Sequence, residues 1–196
     1  MAYNPQNANG SAASTASAPV VIANDQAAVA VKSTSKFSIG SNVAMTVTNL
    51  QSLASSATAG WQSDRVSNLV TLARDYEIQV KLVAAGTSGS DRSMYVYACA
   101  FYNDGSNWLA SSQGTATLPT GTQGTTTIAS PNNLRLLGVI NYPATGVQTQ
   151  DTFLLSNCFG DRLPDGFSII IINFSGSALA ASGNVVNYKP IYDTLT

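Results

Sequence analysis

The chain has 196 residues, a formal net charge of −1 and no histidine. Charged residues are only 10% of it, against roughly 25% in an average soluble domain, and 59 serine, threonine and asparagine residues do the solvating instead. Without histidine the commonest general base and metal ligand are gone, and nine scattered Lys and Arg against ten Asp and Glu argue against capture of nucleic acid.

Residues 1–36 read as an extended N-terminal arm. The first 18 are mostly Ala, Ser, Asn, Gln and Gly and would stay unstructured if left alone. Then follow two β-branched clusters, Pro19-Val20-Val21-Ile22 and Val29-Ala30-Val31, divided by the turn signal Asn24-Asp25. Such a stretch has strand-forming residues but too little apolar area for a core. A sheet edge or groove on its own domain or a neighbour is its natural partner, and Pro19, Val20, Val21, Ile22, Asn24, Asp25, Val29 and Val31 are the expected contacts. A plain flexible linker is the competing reading.

From Phe37 onward, residues 37–196 read as one β-sandwich domain. Val43, Met45 and Val47 alternate with polar or small residues, as do Tyr76, Ile78, Val80 and Leu82. Residues 94–102 are apolar on both faces, as in a covered central strand. The turn signal Asn103-Asp104-Gly105-Ser106 predicts a hairpin, with Trp108-Leu109-Ala110 as the returning strand. Residues 114–124 carry three glycines and Pro119 and read as a long loop. Further strands are expected over 125–128, 134–142, 149–155, 167–174 and 185–191. Residues 67–76 are ambiguous, because Leu69, Leu72 and Ala73 could close one helical turn. Eight or nine short strands between turn clusters predict an all-β antiparallel sandwich, and their spacing suits a jelly roll.

No catalytic constellation emerges, and no cofactor or metal is expected. A nucleophilic triad lacks its histidine. A glycosidase needs two facing carboxylates, but Glu77 is the one glutamate and alternates with Gln79 and Lys81 on an ordinary strand. Asp64, Asp91 and Asp161 each precede an arginine, a pattern that local salt bridging and turn chemistry explain. Asp104, Asp161 and Asp165 fall in loops without the spacing of a calcium site. Trp61, Tyr102 and Trp108 admit two readings, a platform for glycans or packing within the sheet. Cys99 and Cys158 are expected to be free thiols. No basic residue precedes Lys32 and residues 94–102 fall well short of the ~18 residues of a membrane span, so neither export nor membrane insertion is expected.

The phrase Pro19-Val20-Val21-Ile22-Ala23-Asn24-Asp25-Gln26, ending in Ala28-Val29-Ala30-Val31, resembles a segment of structural proteins of tailed bacteriophages. Patches further on look similar to the same virion proteins: Gly60-Trp61-Gln62-Ser63-Asp64-Arg65-Val66, Phe101-Tyr102-Asn103-Asp104-Gly105-Ser106, Ile128-Ala129-Ser130-Pro131-Asn132-Asn133-Leu134-Arg135-Leu136-Leu137-Gly138, Asp151-Thr152-Phe153-Leu154-Leu155-Ser156-Asn157 and Leu163-Pro164-Asp165-Gly166. The resemblance implies a non-enzymatic virion component assembled in the bacterial host cytoplasm. It points to a capsid decoration (cement) protein with a jelly-roll body, which contacts the major capsid protein or other virion subunits and forms a homo-oligomer, with a trimer favoured. A tail or head-fibre component carrying a glycan-binding sandwich is the alternative.

Overall fold

The computed structural model describes residues 35–87, 93–111, 119–128, 134–141 and 148–195. The arm residues 19–31 lie outside the described residues. The compact body begins at Ser35, two positions before the boundary expected at 36/37.

Among the described residues twelve strands follow one another. The first six are β1 (Ser35–Ile39), β2 (Val43–Ala44), β3 (Ala59–Gln62), β4 (Val66–Ser67), β5 (Asp75–Val83) and β6 (Ser93–Asn103). Next come β7 (Trp108–Ala110), β8 (Gly124–Thr127), β9 (Arg135–Asn141) and β10 (Gln148–Leu154). A single helical turn, α1 (Ser156–Phe159), precedes β11 (Gly166–Phe174) and β12 (Val185–Leu195).

All pairings are antiparallel, in two sheets. One has the order β1-β12-β5-β10, with β2 also paired to β12. The other has the order β7-β6-β11-β3-β8, with β9 on β6 and β4 on β11. Taking β1 with β2 and β3 with β4 as broken strands, each sheet has four principal strands, connected as in a jelly roll. The remaining strands, β7 and β8, are extra pieces of the long β6–β9 connection.

The sequence pattern explains which face each strand buries. Along β5 Tyr76, Ile78, Val80 and Leu82 are fully buried, while Glu77, Gln79 and Lys81 stay partly exposed on the other face. They meet Met94, Val96 and Ala98 of β6, Phe167, Ile169 and Ile171 of β11, and Val186 of β12 in the inter-sheet core. Burying each large aliphatic side chain there contributes about 1.5–3 kcal/mol before ordering costs. β6 and β11 are buried on both faces toward one end. Cys99, Phe101, Ile170 and Ile172 form a second apolar layer with Ile128, flanked by Tyr95, Tyr97 and Trp108. Residues 94–101 therefore form the covered central strand that their composition predicts, with Tyr95 and Tyr97 partly exposed, whereas Tyr102 at its end is 53% exposed.

One local expectation needs correcting. The alternation at Val43, Met45 and Val47 does not continue as a strand. Met45 N–H still reaches Val186 O at 2.9 Å, but the chain then folds into a turn at Thr48–Leu50 that buries Leu50 completely. The ambiguous residues 67–76 make a single helical turn and no longer helix. The Leu72 N–H bonds Asn68 O at 3.0 Å to close one isolated turn, and Leu72 takes φ +46°.

Candidate functional site

The β6–β7 hairpin turns where the sequence predicts. Asp104 Oδ1 accepts the N–H groups of Ser106 and Asn107 at 2.9 and 2.6 Å, and Gly105 takes φ +96°. These backbone donors hold the Asp104 carboxyl below its usual pKa. The hairpin base is tied to the segment before β11, since Asn103 N–H donates to Asp165 Oδ2 at 2.9 Å. The Asp165 carbonyl in turn accepts Asn68 N–H at 2.7 Å.

Between this hairpin, the start of β9 and the 158–165 segment lies an open groove of about 720 Å³. Tyr102, Arg135, Phe159, Arg162 and Asp165 line it. Among the described residues the ion pairs are Arg74–Asp193 at 3.0 Å and Lys189–Glu77 at 3.3 Å, so neither Arg135 nor Arg162 is neutralised by a carboxylate. Glu77 thus sits in a structural pair, as an ordinary strand residue would. The expected local salt bridging of Asp64 to Arg65 and of Asp161 to Arg162 is absent. Asp64 Oδ1 instead accepts Gln123 N–H at 2.8 Å, a long-range bond to the 119–123 loop and not a local turn, while Asp91 and Arg92 lie outside the described residues.

Arg65 is used differently. Its guanidinium lies 4.2 Å from the centre of the Trp108 ring and 5.7 Å from that of Phe101, within range of cation–π attraction. Gly166 makes the stack possible, because a Cβ there would come within 2.9 Å of both the Trp108 ring and the Val66 carbonyl. Beside Arg65, Gln62 donates to Thr120 Oγ1 at 3.1 Å and Thr122 O at 2.8 Å, while Ser63 Oγ accepts Ile169 N–H at 2.9 Å. The Gly60–Val66 stretch therefore stitches the 119–123 loop to β11.

The three aromatic residues do not make one platform. Trp61 is fully buried and cannot present a ring to a sugar. Trp108 pairs with Asn103 and Leu109 with Tyr102, so Trp108 and Tyr102 project to opposite faces of the hairpin. Arg65 occupies the Trp108 ring, whereas Tyr102 is 53% exposed and faces the groove. Of the three, Tyr102 alone is placed to meet a ligand. Asn173, which with Phe174 and Ser175 spells an N-glycosylation sequon, is fully buried, which closes that position to a glycan in the folded chain.

A second surface lies on the opposite sheet. β1 is its edge strand, and Phe37 and Ile39 are each 62% exposed. Arg74 lies 5.0 Å from the Phe37 ring centre while it holds Asp193. The neighbouring loop exposes Leu69, Val70 and Leu72, yet it is rigidly built. Asn68 Oδ1 accepts both Ala73 N–H and Tyr76 O–H at 2.9 Å, and Asn68 Nδ2 donates to Ala73 O at 3.2 Å. Exposed apolar side chains on a well-tied loop beside an open strand edge suit contact with another surface.

Cys99 and Cys158 are both free, Cys99 in the second apolar layer and Cys158 in α1. Burial pushes both thiols up to about 12. Because only the thiolate reacts, about one thiol in 10⁴ is reactive at pH 8. Ellman's reagent is expected to label folded protein slowly and both thiols at once in urea. Rapid labelling of two thiols in the native state would contradict that burial.

Among the described residues no group of three or more Cys, Asp and Glu converges as a metal site, and no helix is long and apolar enough to cross a membrane. No protein-family model matches the chain, and no curated protein matches it.

Proposed function

We propose that this chain is a non-enzymatic structural component of a tailed-bacteriophage particle, a capsid decoration protein that bridges neighbouring shell subunits. The observation that carries the reading is the junction at Ser35. An arm with two β-branched clusters but no core of its own leads directly into an edge strand with Phe37 and Ile39 exposed. A bridging protein needs a rigid body, an adhesive segment and repeated weak contacts, with no cofactor. The patches of resemblance to virion proteins support the same class. A surface rich in Ser, Thr and Asn suits protein contacts that depend little on salt. The absence of histidine and the engagement of Glu77 by Lys189 weigh against hydrolytic catalysis.

In this reading the partner is the major capsid protein or another virion subunit, and the protein assembles as a trimer. A cryo-EM map of the parent particle tests it. Density for the sandwich on the capsid, with residues 19–31 lying between shell subunits, is the expected result. Density on the tail or on a head fibre would replace the decoration role, and absence from the particle would end the virion assignment. Native mass spectrometry showing only monomer at micromolar concentration would remove the trimer.

A further inference from the structure

We propose that the groove beside the β6–β7 hairpin binds a carboxylate-bearing saccharide, independently of where on a particle the protein sits. The inference starts from a shortage. Only nine residues of the chain are Lys or Arg, and of the seven among the described residues three are visibly committed. Arg74 holds Asp193, Lys189 holds Glu77 and Arg65 covers Trp108. Arg135 and Arg162 come from distant parts of the sequence to one groove, and among the described residues neither has an acidic partner. A guanidinium presents a planar fork of N–H donors that matches the two oxygens of a carboxylate.

The other walls narrow the ligand. Tyr102, 53% exposed, offers a flat apolar face of the kind on which sugar rings rest. Asp165 has one carboxylate oxygen engaged by Asn103 N–H, which leaves the other to accept a hydroxyl. That carboxylate would repel a phosphate or a run of acidic side chains, but it complements a ligand with one carboxylate and several hydroxyls. The volume of about 720 Å³ lies within the range of small-ligand sites and suits a short oligosaccharide. Both arginines are exposed, so binding is weak and falls as salt rises.

The test is titration of the full-length protein, followed by NMR or calorimetry, with 3′-sialyllactose, galacturonic acid, neutral lactose and a hexaglutamate peptide. Either acidic sugar is expected to saturate, with lactose at least about tenfold weaker. R135Q/R162Q is expected to lose at least about tenfold in affinity, and Tyr102→Ala severalfold, with thermal melting unchanged. If the double variant melts early, R135Q and R162Q are measured singly against the same expectation. Equal binding of lactose, undiminished affinity in the variants or preference for hexaglutamate would each overturn the proposal. So would failure of both acidic sugars to saturate at roughly 20 mM, where even a Kd well above millimolar would register.

Discussion

Removing residues 1–34 is expected to leave the sandwich folded and to weaken attachment to particles by at least about a hundredfold. The cut is placed at 34 because Ser35 already pairs with Leu195 and Lys36 with Thr194, so a longer deletion would damage β1. Val20, Val21, Ile22, Val29 and Val31 together offer considerable apolar area. Each gains about 1.5–3 kcal/mol at best on burial, opposed by about 1–2 kcal/mol per residue of backbone ordering. Apolar burial therefore roughly offsets the ordering cost, and main-chain hydrogen bonds to the partner's edge supply the net affinity, of which about 2.7 kcal/mol is a hundredfold in Kd. Asn24 and Asp25 would supply the turn that lets both clusters reach one partner. Co-sedimentation of intact and truncated protein with particles stripped of it measures the loss. A full-length V20S/V21S/I22S variant separates adhesion from tethering: it is expected to bind as poorly as the deletion. If the truncated protein binds as tightly as the intact one, the arm is a linker and bridging must run through the body alone.

Much of the body was legible because its strands carry their own pattern. The alternation along Tyr76–Leu82 could be satisfied only by one buried and one open face. The Asn103–Ser106 turn holds its own geometry through local side-chain caps, so no distant contact was needed to forecast it. β3 and β4 were missed for the opposite reason. Trp61, Gln62 and Ser63 are consecutive and all buried, with Gln62 Nε2 and Ser63 Oγ finding partners in Thr120, Thr122 and Ile169 far along the chain. Alternation cannot reveal burial that long-range hydrogen bonds make possible. α1 likewise depends on a distant group: Asp75 Oδ1 accepts Ser156 N–H at 2.9 Å.

The candidate site was less legible than the fold. Tyr102 was visible as an aromatic residue beside a turn, but its exposure follows from its place at the outer end of β6. Arg135 and Arg162 gave no signal, since one opens β9 and the other follows α1, and only folding brings them to one groove. The recurrence of Asp before Arg pointed to the wrong partners at Asp64-Arg65 and Asp161-Arg162, the two pairs within the described residues. Arg65 is better placed over the Trp108 ring than beside its neighbour's carboxylate. Composition limits which chemistries are possible, while geometry decides which charges remain unspent.

Trp61→Ala is expected to cost about 3–5 kcal/mol of stability, a large part of the 5–15 kcal/mol of a typical domain. Trp61 is fully buried, and its strand lies between β11 and β8, with Trp61 opposite Ile171 on one side and Thr125 on the other. An alanine would leave a cavity there, because two hydrogen-bonded neighbours hold the backbone and prevent collapse. For a chain of this size the loss corresponds to a fall in Tm of about 10 °C or more. Trp61→Phe, which retains much of the volume, is expected to lose less. Trp108→Ala provides the contrast. It removes a partly exposed ring and its contact with the Arg65 cation, a loss of about 1–2 kcal/mol, so the two tryptophans should separate clearly in urea midpoints at similar m-values. If Trp61→Ala unfolds at the same midpoint as the parent, the indole is not the core residue its burial makes it. The sugar-platform reading of that residue would then return in place of the packing one.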